Sequence, residues 1–336
     1  MKAIVLAAGF GKRLRPLTDH LPKVLVPILG IPAIDHVLWR LHDQGIRQVG
    51  VNVHYRAEQI REHLESDVCL ASGCRLKKNI KISISREEEI LGTGGALDNF
   101  RDFLRGEEPF WVYNGDIISD LDLASALHFH QARGALATLI LWDYPPINTV
   151  SVDRGGNIVS LFAKPGAEPA GRDCHTTSLT FTGISILSPR ILDYIPQGYS
   201  EMPGIYQDII ASEGMGKICG FRGQGHYWAD FGTITSYLDV HRHLVIDRSQ
   251  RKVPAARLTQ TSGHTTGCVG CVHRAGAGIV ISSRAQLRGF VSIGDGCIIE
   301  DNVFLEDCVL WPGTRVSADT RAQRAVLGNG FICRER

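Results

Sequence analysis

No apolar run in this 336-residue sequence approaches the roughly 18 residues needed to cross a bilayer, so a membrane-spanning helix is not expected. Charge of one sign is equally scarce. The 36 basic side chains are met by 35 acidic ones, a formal charge of +1 that supplies no general attraction for nucleic acid or an anionic membrane, so any anion site has to be local. Nine cysteines, an odd number scattered from Cys69 to Cys333, lack the dense even spacing of a disulfide framework and fit a reducing cytoplasm. Lys2 and the apolar residues 3–8 mimic a secretory leader. The stretch is short, however, and runs straight into Gly9 and the basic Lys12-Arg13-Leu14-Arg15, so it reads as a buried strand and a loop.

What is present is a chain with 44% hydrophobic residues, long enough for one large domain and a smaller one. Short apolar runs at residues 3–8, 49–53, 80–84, 110–113 and 135–141 read as strands. Between them, residues 34–42 and 58–64 carry apolar side chains at helical spacing. Strand and helix in alternation predict a mixed, mostly parallel α/β sheet of Rossmann-like type with helices on both faces. Ligands of such sheets bind beyond the carboxyl ends of the strands. Residues 148–189 turn strand-like around Gly155-Gly156, a hairpin extension that could wall a pocket. A helical stretch at 237–245 leads into a polar segment. The expected domains are 1–246, a linker at 247–276, and 277–336.

The last segment carries a six-residue period. Ile281, Leu287, Ile293, Ile299 and Leu305 form one track, and Val291, Cys297, Val303 and Val309 form another. This is the hexapeptide pattern of a parallel β-helix, here expected to be left-handed and about three coils long.

Leu6-Ala7-Ala8-Gly9-Phe10-Gly11-Lys12-Arg13-Leu14-Arg15-Pro16-Leu17-Thr18 leaves the first strand directly into a glycine-rich basic turn. Amides exposed by glycine can surround phosphate oxygens, and a guanidinium adds charge-assisted bonds. Two familiar phosphate loops are excluded. The dinucleotide fingerprint needs a glycine where Leu14 stands, and the Walker loop needs one at Leu6 and a hydroxyl at Arg13. With Leu21-Pro22-Lys23 and Pro27 added, the sequence resembles the sugar-1-phosphate nucleotidyltransferases (nucleotide-sugar pyrophosphorylases), which open with L-A-A/G-G-x-G-x-R-L-x-P-L-T and P-K-x-L-x-P. The resemblance implies that Ala7, Ala8, Gly9, Gly11, Lys12 and Arg13 bind the nucleotide. It also gives Arg13 and Lys23 the catalytic part, facing the β/γ- and α-phosphates.

Two aspartates stand at the ends of aromatic strands, in Tyr113-Asn114-Gly115-Asp116 and in Trp228-Ala229-Asp230-Phe231-Gly232-Thr233. Magnesium prefers a few carboxylates and keeps substrate phosphates as its other ligands, so a pair of this kind suits a phosphate loop. N-G-D and W-x-D-x-G-T resemble the family's two metal motifs, which implies Mg2+ on Asp116 and Asp230. Phe231 replaces the usual aliphatic.

Leu91-Gly92-Thr93-Gly94-Gly95-Ala96-Leu97 follows a strand and opens a helix, where glycines let a flat base approach the backbone. The loop resembles that of mannose- and heptose-1-phosphate guanylyltransferases. N-acetylmuramate-1-phosphate uridylyltransferases carry a close variant, so the reading leans toward GTP and keeps UTP with an amino-sugar or N-acetylmuramate 1-phosphate as its alternative. Gly92, Thr93 and Gly94 are the expected base contacts. Ala163-Lys164-Pro165 resembles the family's E-K-P, implying that Lys164 binds the sugar 1-phosphate. The missing glutamate leaves sugar recognition open. Gly183 and Asn114 are placed with Lys164 on the sugar-phosphate side.

Two further signals compete with these. His264, Cys268, Cys271 and His273 include a zinc half-site, but the second pair is too compressed for a usual finger, and ordinary loop residues are the simpler reading. A non-catalytic nucleotide-sugar-binding subunit should have lost a metal aspartate or the loop arginine, and all four charged groups are present. The C-terminal repeat has no evident catalytic histidine for acyl transfer, which leaves it an oligomerising or regulatory role.

Overall fold

In the computed structural model, residues 1–66, 79–106, 108–161, 176–223, 225, 227–246, 268–274 and 276–335 are described. The apolar runs fold as strands and the 3.6-period segments as helices: β1 Lys2–Leu6, α1 Ala33–Asp43, β2 Gln48–Val53, α2 Ala57–Glu65, β3 Lys81–Arg86, α3 Gly92–Asn99, β4 Phe110–Asn114, α4 Leu123–Arg133 and β5 Ala137–Trp142. Then come β6 Val150–Val152, β7 Ile158–Ser160, β8 Thr177–Leu187, α5 Met202–Glu213, β9 Ile218–Arg222 and α6 Ile234–Ile246. The main sheet runs β7-β6-β8-β4-β1-β2-β3, with β5 pairing both β8 and β9. Strands β4, β1, β2 and β3 are parallel, and β8 runs against β4. Ile4, Val5, Val49, Val51, Tyr113 and Ile184 are buried to at least 99%, as continuous apolar runs in a parallel sheet require. The mixed, mostly parallel α/β architecture is as expected, and the segment around Gly155-Gly156 does form a hairpin, β6 with β7.

The C-terminal strands are β10 Cys268–Arg274, β11 Val280–Ile281, β12 Gln286–Ile293, β13 Ile298–Ile299, β14 Phe304–Leu310, β15 Arg315–Val316, β16 Arg321–Gly328 and β17 Phe331–Arg334. Two parallel stacks result, β10-β12-β14-β16 and β11-β13-β15, and β17 closes the first by running antiparallel to β16. Ile281, Ile299 and Val316 stand in one column; Leu287, Leu305 and Ala322 stand in another. The second track slips. A register shift after Arg288 shortens the coil by one residue, so Cys308 and then Ala325 follow Val291, while Val309 lines up with Ser292 and Val326. A strict period of six therefore misplaces Val309. The segment read as linker also contributes β10 to this sheet, so strand pairing begins before Gly276.

The described residues divide into two compact units that cut across the sequence boundaries. One is drawn from Met1–Gly9, Leu41–Ala57 and Lys77–Trp228, the other from Phe10–Arg40, Glu58–Leu76 and Ala229–Arg336. The second unit joins the early loop segment to the C-terminal stack through α6. Its Tyr237 hydroxyl donates to the Pro27 carbonyl and accepts from Trp311 Nε1 at 3.1 Å, and His20 stacks on Phe331 with ring centroids 4.3 Å apart.

His241, one turn on from Tyr237, is fully buried in the same unit. The Leu29 amide donates to its Nε2 at 3.1 Å, and its Nδ1 donates to the Tyr237 carbonyl at 3.0 Å, a pattern only the neutral ring can satisfy. Burial pushes its pKa down to about 4, with nearby His36 adding to the effect. Between that value and the ordinary one near 6.5 the unfolded chain binds the extra proton. Stability is thus full above about pH 6.5 and falls toward pH 4, by on the order of 3 kcal/mol for this group. Denaturant titrations across that window should show a steeper loss for the native chain than for His241→Asn; equal slopes would contradict the assignment. Part of the slope remains in the variant, because burial displaces His36 in the same direction.

Candidate active site

Within the second unit, the glycine-rich turn is built around Gly11. Its φ of 63° lies in the left-handed region, and a Cβ there would sit 2.8 Å from Thr18 Cγ2 and 3.1 Å from Lys23 Cβ. Leu14 and Leu17 are fully buried, and Thr18 Oγ1 donates back to the Gly11 carbonyl at 3.0 Å. The L-x-P-L-T stretch is thus the anchor that folds the loop onto itself. Lys12 lies with its ammonium 5.1 Å from the centroid of the Phe10 ring.

Lys23 opens a short helical turn that aims its Nζ at Asp230 Oδ1, 3.3 Å away. The lysine side chain is only 13% exposed and the aspartate 37%. Phe231, fully buried, puts its ring 5.4 Å beneath the same ammonium and meets Tyr237 edge-on at 6.2 Å. An aromatic in place of the usual aliphatic therefore adds a cation–π support for Lys23. Gly232 lies close to both: a Cβ there would stand 2.9 Å from Arg13 Nη2 and 3.3 Å from Asp230 Oδ1. Arg13 and Asp230 thus both border Gly232, and Asp230 pairs with Lys23.

The first unit holds Ala7, Ala8, Gly9, Asn114, Asp116, Gly183 and the loop at Gly92 to Gly94. Ala7 and Ala8 are buried where β1 ends, and a Cβ on Gly9 would meet nothing within 4 Å, so packing does not demand this glycine. The Gly115 amide donates to the Leu6 carbonyl at 2.9 Å, fixing the turn that carries Asp116, which is partly buried, beside the end of β1. Gly183 has φ 78° at an irregularity of β8, and a Cβ there would lie 2.7 Å from Asn114 Nδ2. Its conformation makes room for Asn114, a structural reason for the glycine.

The loop at Gly92-Thr93-Gly94 is clasped by residues 198–201. The amides of Gly94 and Gly95 donate to the Ser200 carbonyl at 2.8 and 3.3 Å, and Thr93 donates from both its amide and its hydroxyl to Glu201 Oε2. Side-chain carbons at Gly92, Gly94 and Gly95 would lie 2.3–2.4 Å from Ser200 or Gly198 oxygens. Close approach of residues 198–200 thus accounts for these glycines, and two of the amides expected to face a base, those of Thr93 and Gly94, donate within the chain. Sequence reasoning missed Ser200 and Glu201, and also Asn52 and Glu87, which sit under the same loop. A lone asparagine in the apolar run Val51-Asn52-Val53 was the available signal. Lys164 lies outside the described residues, as do His264 and the side chains of Cys268, Cys271 and His273.

The family described as nucleotidyl transferase matches residues 2–245. The chain belongs to that family. Among its relatives, a probable mannose-1-phosphate guanylyltransferase 3 of Oryza sativa subsp. japonica is 32% identical over 98% of this chain and 86% of its own length. Mannose-1-phosphate guanylyltransferase 1 of Arabidopsis thaliana is also 32% identical, over the same shares. A UTP–glucose-1-phosphate uridylyltransferase of Synechocystis is 28% identical over 94% of this chain and 86% of its own. The match identifies the chain as an enzyme of the nucleotidyl transferase family, whose substrates are a nucleoside triphosphate and a sugar 1-phosphate.

Among the described residues, no group of three or more His, Cys, Asp or Glu side chains is assembled to hold a metal ion. Magnesium asks for less, one or two carboxylates completed by phosphate oxygens and water. Asp230, more than a third exposed, and the partly buried Asp116 are hard oxygen donors of that kind, so the residues fit the divalent ion that the family implies. Of the helices described, none is long and apolar enough to cross a membrane.

Proposed function

We propose that this enzyme transfers a guanylyl group from GTP to a sugar 1-phosphate, mannose 1-phosphate foremost, releasing pyrophosphate. The observation that carries the reading is the approach of Arg13 and Asp230 to Gly232 and the pairing of Asp230 with Lys23, in a chain whose relatives include named mannose-1-phosphate guanylyltransferases.

The chemistry needs no covalent enzyme intermediate and no general base. An already anionic oxygen of the sugar phosphate forms a bond to the α-phosphorus as the bond from that phosphorus to the bridging oxygen breaks, and pyrophosphate leaves with the electron pair. Amides of Ala8, Gly9 and Gly11 and the Lys12 ammonium hold the triphosphate. Arg13 neutralises charge growing on the departing phosphates and Lys23 charge on the α-phosphoryl oxygens, while Lys164, Asn114 and Gly183 seat the sugar phosphate. Mg2+ on Asp116 and Asp230 would supply further neutralisation of the triphosphate oxygens. The C-terminal stack is read as a left-handed β-helix with an oligomerising or regulatory role.

A second reading, uridylyl transfer to an amino-sugar or N-acetylmuramate 1-phosphate, draws support from the uridylyltransferase among the relatives. The test is a panel of four nucleoside triphosphates against mannose, glucose, heptose and amino-sugar 1-phosphates, read by pyrophosphate release. GTP should exceed UTP by about tenfold or more in kcat/KM. A UTP preference would favour the second reading, and silence across the panel would point to a non-catalytic binding subunit.

A further inference from the structure

The second unit encloses a cavity of about 630 Å³ for which the transfer reaction has no evident use. Three guanidiniums line it. Arg13 and Arg15 come from the turn that follows Gly11, and Arg334 comes from β17, the last strand described. Pro16, Ile234 and Ile332 add an apolar lining, and Ile332 is 44% exposed. The stacking of His20 on Phe331, next to Ile332, holds β17 against the segment that carries Arg15. Ile234 opens α6, a helix of 13 residues, so the positive end of that helix also borders the cavity.

Like charges gathered around one space repel unless an anion lies among them or water and salt screen them. The neighbouring carboxylates give little relief. Arg15 Nε meets Asp19 at 3.2 Å in a pair exposed at both partners, and Glu335, beside Arg334, is engaged by Arg324. Arg334 gives one N–H to the Arg321 carbonyl at 3.4 Å, and a guanidinium has five to give. Forks of this kind suit phosphoryl oxygens, and the volume is that of a small-molecule site. Arg13 is the one lining residue shared with the transfer machinery, since it also stands beside Gly232. We propose that this cavity binds a phosphoryl dianion, free or carried on a short carbon skeleton, and that its occupant inhibits transfer by competing with the nucleoside triphosphate for Arg13. The proposal rests on the part given to Arg13 in neutralising the departing phosphates, and it supplies a ligand for the regulatory role of the C-terminal stack. Such coupling is reciprocal, so bound triphosphate weakens the dianion by the same factor.

The probes are inorganic phosphate and glucose 6-phosphate, which lacks the anomeric phosphate of an acceptor, each titrated by calorimetry at constant ionic strength. Arg334→Gln and Arg15→Gln should each raise the Kd of the bound probe about tenfold. Without added anion, both variants should keep kcat and the triphosphate KM within about twofold of the native values. Near saturation the probe should raise the triphosphate KM of the native enzyme about fivefold to tenfold and leave kcat in place, and Arg334→Gln should abolish that rise. Binding of either probe with this pattern supports the site; a clear preference for glucose 6-phosphate assigns the carried form, and equal affinity assigns the free ion. Failure of both probes to bind at millimolar concentration, binding that neither variant weakens, or inhibition that persists in both variants would overturn the proposal. A chain that released no pyrophosphate from any triphosphate would refute transfer itself, and the calorimetric Kd values would still judge the cavity.

Discussion

Asp116→Asn and Asp230→Asn should each lower kcat for pyrophosphate release by roughly a hundredfold to a thousandfold, with the fold intact. The magnitude is that of removing one preorganised electrostatic group from a phosphoryl-transfer site. Stability should change little. Asp230 is 37% exposed, and its pairing with Lys23 is a solvent-screened contact of the kind that contributes at most about 1 kcal/mol. The two variants should nevertheless differ. Asp230→Asn also deprives Lys23, mostly shielded from solvent, of its anionic partner, so the KM for the triphosphate should move there more than in Asp116→Asn. Steady-state kinetics over a magnesium titration, with thermal melts as the control for folding, make the comparison. Near-normal turnover in either variant would take that aspartate out of the site.

The largest effect on stability is expected at Trp311→Ala, far along the chain from the chemistry. Trp311 is 7% exposed, meets Phe331 edge-on at 5.2 Å and donates its indole N–H to the Tyr237 hydroxyl. Truncating a buried tryptophan costs about 3–5 kcal/mol, mostly from lost packing and the cavity left behind. For a chain of this size that corresponds to a melting temperature lower by on the order of 10 °C. Trp311→Phe is the informative control. It keeps a ring against Phe331 while removing the N–H and part of the indole's volume, and Tyr237 still has the Pro27 carbonyl to donate to, so the cost should stay near about 2 kcal/mol, below that of the alanine variant. Equal losses in the two variants would assign the stability to the hydrogen bond.

Much of this was legible in residues whose demands are local. The strand-forming runs and the helix at 34–42 fell within a residue or two of their places, because a continuous apolar run or a 3.6 period has one inexpensive way to bury itself. The columns headed by Ile281 and Leu287 were equally plain. What the sequence could not convey came from distance along the chain. Val309 was misplaced because a register shift in β12 is set by stacking, which no six-residue period records. Glycines 92, 94 and 95 looked like a berth for a base, yet their lack of side chains is also demanded by Ser200 and Gly198, about a hundred residues later. Glu87 stood as the first of three adjacent glutamates, and only burial separates it from its neighbours. The unit boundaries fall between Gly9 and Phe10 and between Trp228 and Ala229, inside the two most recognisable motifs, where a reading by continuous domains places no division.

The stacking of His20 on Phe331 and the bonds from Tyr237 to Pro27 and Trp311 have a consequence for how the protein is made. A ribosome delivers the glycine-rich loop long before the coil that braces it. The loop must stay without its final support until that coil has emerged, since contacts of such long sequence separation cannot form earlier. A nascent chain stalled before Trp311 should therefore leave the segment around Pro27 open to protease, and release of the finished chain should close it.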